Sequence, residues 1–380
     1  METALTDEAK RDAPMTYLLL GNSGLRVSET ALGTMTFGED WGWGSDPAES
    51  RRVLDYYIDR GGNFIDTANF YTEGTSETLI GQFLEGRRSR VVLSSKYSCV
   101  FGGKATEPNE GGNHRKSLVQ ALDATLKRLR TDYLDLYHVH AWDFLTPVEE
   151  VMRTLDDQVR AGKILYAGVS NAPAWIVAHA NTLAAGKGWT PFVATQIQYH
   201  LGERTADREL LPLARALDVG VTSWSPLAGG VLTGKYDTNA SKYEGQFKRS
   251  DVFPFVPLDE RTRHIATVVA GVAQRIGRPA SQVALAWVRS QGVIPIVGAR
   301  TVEQLRENLG YSDLVLDVDA LAALNEATAI EGGYPSNFLA APMGKTALFG
   351  GLDPQIRSHR PQWLPEQTGE HTVPRTALAS

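Results

Sequence analysis

Asn63-Phe64-Ile65-Asp66-Thr67-Ala68-Asn69-Phe70-Tyr71 reads as a strand handing over to a loop: the apolar pair Phe64 and Ile65 ends at a carboxylate, and a phenol follows across a short polar turn. A phenol is a poor acid at neutral pH, because its ordinary pKa is about 10. It becomes a useful proton donor beside a cation, and that cation needs an anion to hold it. Asp66 is the candidate anion. Lys96 is the candidate cation, since Val91-Val92-Leu93-Ser94-Ser95-Lys96 runs apolar and then turns polar in the same way.

Working outward, the strand-then-helix unit repeats. Tyr17–Leu20 and Leu25–Ser28 flank Gly21-Asn22-Ser23-Gly24 and read as a β-hairpin. Ala31–Met35 then opens the repeat. Its helix begins with Asp46 as N-cap, Pro47 at the first helical position and Glu49 placed for a capping box. Further strands are expected at 63–68, 91–96, 133–140, 164–170, 193–199, 221–225 and 293–297, with helices between them and a long connection full of glycine and lysine after the seventh. Alternating strands and helices call for a parallel sheet, and eight such units at spacings of roughly 30 residues point to a closed (β/α)8 TIM barrel. No G-x-G-x-x-G follows an early strand, which counts against the open dinucleotide-binding sheet. The chain divides into a disordered start (1–15), one barrel domain (16–330) including an outer helix from Val318, and a C-terminal substrate-loop segment with a mobile tail (331–380).

Composition narrows the function classes. Of 380 residues, 42% are apolar and 22% charged, as in ordinary globular proteins. The formal charge of −6 offers no basic stripe for nucleic acid. The one cysteine, Cys99, excludes an internal disulfide framework. With neither a signal-like start nor an apolar run of membrane-spanning length, a cytoplasmic protein with no membrane partner is expected.

In a barrel of this kind function collects at the C-terminal ends of the strands. Those ends read Gly33-Thr34-Met35, Asp66 to Tyr71, Lys96, His138-Val139-His140, Ser170-Asn171, Gln196, Trp224-Ser225-Pro226 and Gly298-Ala299-Arg300. His138 and His140 fall on one side of their strand. An H-x-H pair also occurs in metal-dependent hydrolases, but beyond His200 the later strands lack further ligands, so no metal is expected.

The set Ile65-Asp66-Thr67-Ala68 with Tyr71 and Gly74-x-Ser76-Glu77, Ser95-Lys96, Asp132–Tyr137 with His140, Gly168–Asn171, Gln196, Ser225-Pro226-Leu227 and Gly298-Ala299-Arg300 with Gln304 and Asn308 resembles the aldo-keto reductase superfamily over about residues 17–309, closest to its aryl-alcohol dehydrogenase-like branch. The resemblance implies a catalytic tetrad of Asp66, Tyr71, Lys96 and His140. Tyr71 donates the proton, Lys96 lowers its pKa, Asp66 balances Lys96, and His140 holds the substrate oxygen; His138 has no assigned role. It implies NADP(H), with contacts at Gly33, Thr34, Met35 and Asp66, at Ser170, Asn171 and Gln196 around the carboxamide, and at Trp224 stacked on the nicotinamide. Ser225, Pro226, Leu227 and Gly229 follow along the pyrophosphate, then Gly298. Arg300 with the backbone N–H groups of the last helix suits a phosphate monoester, and Gln304 and Asn308 face the adenine. Trp41, Trp43 and Trp142, with Tyr334 to Phe338, are placed to line an apolar substrate pocket. The expected activity is reversible reduction of aryl or other bulky carbonyls. A keto-sugar reductase and a cofactor-sensing regulatory subunit are the alternatives, and the oligomeric state is not encoded.

Overall fold

Counting by twos along each barrel strand sorts the side chains into two cores. In the computed structural model, which describes residues 15–234 and 259–357, ten strands form: β1 Tyr17–Leu19, β2 Arg26–Ser28, β3 Ala31–Gly33, β4 Phe64–Asp66, β5 Val92–Tyr97, β6 Leu134–Val139, β7 Ile164–Ser170, β8 Phe192–Gln198, β9 Gly220–Trp224 and β10 Ile294–Gly298. β1 and β2 pair antiparallel, and β3 to β10 close in sequence order into a parallel barrel, with β10 pairing with both β9 and β3. Leu32 on β3 and the odd-numbered Ile65, Leu93, Tyr137 and Val169 on the later strands face outward and pack against helices. The alternate positions face the barrel interior, where Ala31, Phe64, Val92, Leu136, Ala194 and Ile296 form a separate cluster.

Leu20 and Val27, on either side of the hairpin turn, join that inner cluster and are fully buried, so the hairpin plugs the N-terminal end of the barrel. Two places further along, the same inward rows turn polar: Phe64 gives way to Asp66, Val92 to Ser94 and Lys96, Leu136 to His138 and Ala194 to Gln196. The barrel is therefore apolar and closed at one end and polar at the other. Register sets the polar groups side by side, pairing Asp66 with Ser94, Lys96 with His138 and Ser170 with Gln196.

The helices α1 Pro47–Asp59, α2 Thr75–Phe83, α3 Arg115–Leu129, α4 Val148–Arg160, α5 Ala174–Lys187, α6 Leu210–Leu217, α7 Glu260–Ile276, α8 Ala280–Ser290 and α9 Val302–Leu309 surround the barrel. α4 shows the local logic. It has Glu149 and Glu150 in the first turn and Arg160 in the last, which complements the helix dipole, and it buries Val151, Met152 and Leu155. Each such side chain stabilises the fold by about 2 kcal/mol through burial, and Leu155→Ala would cost about 2–5 kcal/mol. At α1 the expected cap forms, Asp46 accepting from Glu49 N at 2.8 Å. The reciprocal half of the capping box does not, because the Glu49 carboxylate turns instead to Val302 N, 2.9 Å away at the start of α9.

Beyond β10 the outer helix α10 spans Val318–Ala327 and is followed by α11 Ser336–Ala340 and α12 Pro342–Phe349, two short helices with too little periodicity to be read from the sequence. They pack on each other and leave Tyr334, Met343 and Leu348 exposed. The expectations for residues 1–14, for the glycine- and lysine-rich stretch 235–258 and for the tail from 358 lie outside the described residues. No helix among the described residues is long and apolar enough to cross a membrane.

Candidate active site

Lys96, fully buried at the inward end of β5, is the centre of the polar face. Its ammonium has three donors and uses all of them, on Asp66 Oδ2 at 2.6 Å, Thr67 O at 2.8 Å and the Tyr71 hydroxyl at 3.2 Å. Asp66, 2% exposed, is saturated in turn: its Oδ1 accepts from Gln196 Nε2 at 2.9 Å and from Ser94 Oγ at 3.5 Å. A buried ion pair is tolerable only when its remaining hydrogen-bonding capacity is filled in this way. Burial opposes the charge on Lys96, but the attraction of Asp66 and Tyr71 wins and holds its pKa above the ordinary lysine value.

Tyr71 behaves differently from the sequence expectation. Lys96 does pull its pKa down, yet burial pushes harder the other way, and the phenol sits above its ordinary value. The hydroxyl oxygen accepts from Lys96, so its own proton is left to point elsewhere. A phenol that holds its proton while its oxygen rests on a cation is set up as a donor.

The turn that aims Tyr71 is strained. Thr72 and Glu73 both adopt left-handed backbone, at φ 47° and 53°, where non-glycine residues cost about 1–2 kcal/mol each. Tertiary bonds hold it: Thr72 Oγ1 donates to Phe37 O at 2.7 Å and accepts from Ser76 N at 3.1 Å. Glu73 Oε1 takes the Trp41 indole N–H at 3.0 Å. Behind Lys96, the buried Glu77 carboxylate accepts from Ser95 Oγ at 2.5 Å and pairs with Arg128 at 2.7 Å, which ties β5 to α2 and α3.

His140 lies edge-on to Tyr71, with ring centroids 6.0 Å apart. Burial, and then the nearby Lys96 charge, hold its pKa well below the ordinary value, so it is neutral and offers a hydrogen bond rather than a charge. His138 sits one layer deeper. Its Nδ1 meets Ser94 Oγ at 3.2 Å, its pKa is pushed down to about 3 by burial, and its ring fills the space that a Cβ at Gly168 would invade at 2.5 Å. Among the described residues no group of three or more His, Cys, Asp or Glu side chains is arranged to hold a metal.

Above the tetrad the aromatic side chains form a belt. Trp41 packs against Trp43 and Phe70, each at 5.8 Å, and Phe70 packs against Tyr71 and His140, each at 5.2 Å. Phe70 was not anticipated from the sequence, though an aromatic next to the phenol on the same loop was the available signal. Trp142 is 7% exposed and packs in the outer apolar core, not in this belt. Tyr334 and Phe338 are exposed.

The late strands present a looser arrangement. Asn171, itself left-handed at φ 48°, donates to His140 O at 2.9 Å and accepts the Trp224 indole N–H at 3.0 Å. Gln196 gives its amide to Asp66, which joins it to the buried cluster around Lys96. Ser170 Oγ is buried without a hydrogen-bond partner among the described residues. In the loop after β9, Ser225 Oγ accepts from Gly229 N at 3.0 Å, and a Cβ at Gly229 or Gly230 would meet no atom beyond its chain neighbours within 4 Å. Arg300 is exposed, and its guanidinium forms no ion pair among the described residues.

Three N–H groups at the start of α9 are engaged within the chain. Arg300 N donates to Gln304 Oε1 at 3.0 Å, Val302 N to Glu49 and Gln304 N to Thr301 Oγ1 at 3.3 Å. Part of the backbone donor set expected there is therefore occupied within the chain, and the Arg300 side chain is the exposed charge beside it. Thr34 Oγ1 donates to Asp66 O, and Asn308 is largely buried on α9. An orphaned hydroxyl at Ser170, a carboxamide at Asn171, an indole face at Trp224, unobstructed glycines and an unpaired guanidinium together fit a nicotinamide dinucleotide.

Residues 29–329 match the Aldo/keto reductase family. The norsolorinic acid reductase of Aspergillus flavus is 38% identical over 337 residues, covering 85% of this chain and 83% of that protein. The aryl-alcohol dehydrogenase [NADP(+)] of Phanerodontia chrysosporium is 34% identical over 328 residues, covering 82% and 85%. An uncharacterized oxidoreductase of Bacillus subtilis, YrpG, is 39% identical over 335 residues, covering 84% and 98%. Barrel, polar face and matched residues agree, and the chain belongs to the aldo/keto reductase family, in its aryl-alcohol dehydrogenase-like branch, as an oxidoreductase acting on carbonyl and alcohol groups.

Proposed function

We propose that the protein is an NADP(H)-dependent reductase of aldehydes or ketones, reversible to alcohol oxidation, with aryl and other bulky carbonyl compounds as substrates. The observation that carries the reading is the Tyr71 hydroxyl, which takes a hydrogen bond from buried Lys96 and keeps its own proton free beneath an aromatic belt. When bound, the nicotinamide supplies or accepts the hydride. The chain's residues do the rest.

In the reducing direction Tyr71 delivers its proton to the carbonyl oxygen as negative charge develops there, and the Lys96 ammonium stabilises the phenolate left behind. Asp66, locked by Gln196 and Ser94, keeps Lys96 charged and in place. Neutral His140 hydrogen-bonds the same carbonyl oxygen and orients it. Trp41, Trp43 and Phe70 bury an aromatic or otherwise bulky substituent and keep water from the reacting centre. The names of the aryl-alcohol dehydrogenase and norsolorinic acid reductase relatives support a carbonyl or alcohol of aromatic character.

The test is NADPH oxidation with a panel of aromatic and aliphatic aldehydes and ketones, for the wild type and for Tyr71→Phe. Turnover of aromatic carbonyls that collapses in the variant is expected. Equal turnover by Tyr71→Phe would remove Tyr71 as proton donor, and preference for small aliphatic aldehydes would remove the belt as the substrate wall.

A further inference from the structure

The start of α9 is capped twice. Thr301 is its N-cap, accepting from Gln304 N. Glu49, from the first helix of the barrel, adds a carboxylate on Val302 N. The Glu49 side chain is only 13% exposed and its second oxygen pairs with Arg52. A helix start leaves four N–H groups without intrahelical partners; Glu49 fills one that Thr301 leaves, and does so with a charge brought from α1. At the same helix end the Arg300 guanidinium stands exposed and without an ion-pair partner among the described residues.

A phosphate monoester carries about −1.5 to −2 charges at neutral pH, whereas the ribose hydroxyl that replaces it in NADH is neutral. A fixed carboxylate offsets the positive end of the helix and opposes the phosphate, but has no such effect on the hydroxyl. We propose that Glu49 is a specificity-determining residue that holds down the preference for NADPH over NADH, so that both cofactors bind. The inference rests on the reading above, in which the adenosine end of the cofactor lies at Arg300.

Glu49→Gln is the test, because glutamine keeps an oxygen for Val302 N while the charge, and with it the ion pair to Arg52, is lost. The dissociation constants of NADPH and NADH are measured by nicotinamide fluorescence with purified wild type, Glu49→Gln and Arg300→Gln, at low salt and near 1 M salt. For Glu49→Gln at low salt, NADPH is expected to bind about fivefold more tightly with NADH unchanged. That gain should shrink at high salt, where the screening length falls to about 3 Å. Arg300→Gln should weaken NADPH about tenfold and spare NADH.

A Glu49 that only caps the helix would alter Tm and leave the ratio of the two constants as it was, which overturns the inference. Equal tightening of both cofactors overturns it as well. If neither cofactor binds the wild type, the cofactor reading itself falls, and this inference with it. Loss of NADPH selectivity in Arg300→Gln without any response to Glu49→Gln keeps the cofactor reading and rejects Glu49 alone.

Discussion

The two halves of the polar face are built to different standards. On β4, β5 and β6 the charges are buried, each donor of Lys96 is used and Asp66 is saturated within the chain. On β7, β9 and β10 the groups are half-exposed and bond to each other: Asn171 to Trp224, Gln304 to Arg300 N, Glu49 to Val302 N. The first half holds its geometry with nothing bound. In the second half a ligand must replace bonds the residues already make, so binding there is an exchange of partners with small net gains. Preorganisation is useful where charge develops in a transition state. Exchangeable contacts are useful where a cofactor must enter and leave every turnover.

If that contrast is real, Tyr71→Phe gives the largest effect. A loss of about a thousandfold in kcat is expected, with the NADPH dissociation constant unchanged within twofold. A matching loss of cofactor affinity would show the halves to be one unit. Lys96→Met, which leaves Asp66 buried without its cation, should lower unfolding stability by about 3–5 kcal/mol in urea titrations. Arg300→Ala, on the exposed half, should stay within about 0.5 kcal/mol of the wild type. Comparable losses for the two would erase the distinction.

The buried histidines sharpen it further. The pKa of His138 is pushed to about 3 and that of His200 to about 4, both mainly by burial, and His140 is held well below its ordinary value. In the unfolded chain these rings titrate near 6.5, so below that pH the unfolded state takes up protons the folded state refuses. The associated stability is complete above about pH 6.5 and is lost as pH falls, by up to about 1.4 kcal/mol per pH unit for each ring. Urea midpoints at pH 7.5, 6 and 5 check this. His138→Leu should flatten the slope, and an unaltered slope would mean that this ring already charges in the fold. The smallest effect is expected from Asn171→Ala. Cofactor affinity should fall about fivefold, with a change in Trp224 emission and little change in stability. A destabilisation near that of Lys96→Met would place Asn171 with the preorganised half.

Much of the catalytic half was legible in the sequence, because Asp66, Tyr71 and Lys96 sit at the ends of successive strands and neighbouring parallel strands must bring such ends together. The partners of Asp66 and Val302 were not. Gln196 reaches Asp66 across 130 positions and Glu49 reaches Val302 across 253, contacts that exist only once the barrel has closed. Phe70 was overlooked because a lone aromatic after a strand is ordinarily core. Trp142, an aromatic at a strand end, packs into the outer core.

From the sequence alone came the alternation of strand and helix, the switch from apolar to polar along each inward row, and the residue types of the tetrad. These follow from local periodicity and the reach of a few residues. Tertiary structure alone decided the direction of the Tyr71 pKa, since that is a contest between depth of burial and a cation on another strand. It also decided which polar groups are already occupied. Periodicity sets the face on which a side chain lies, and closure of the barrel determines what it meets there.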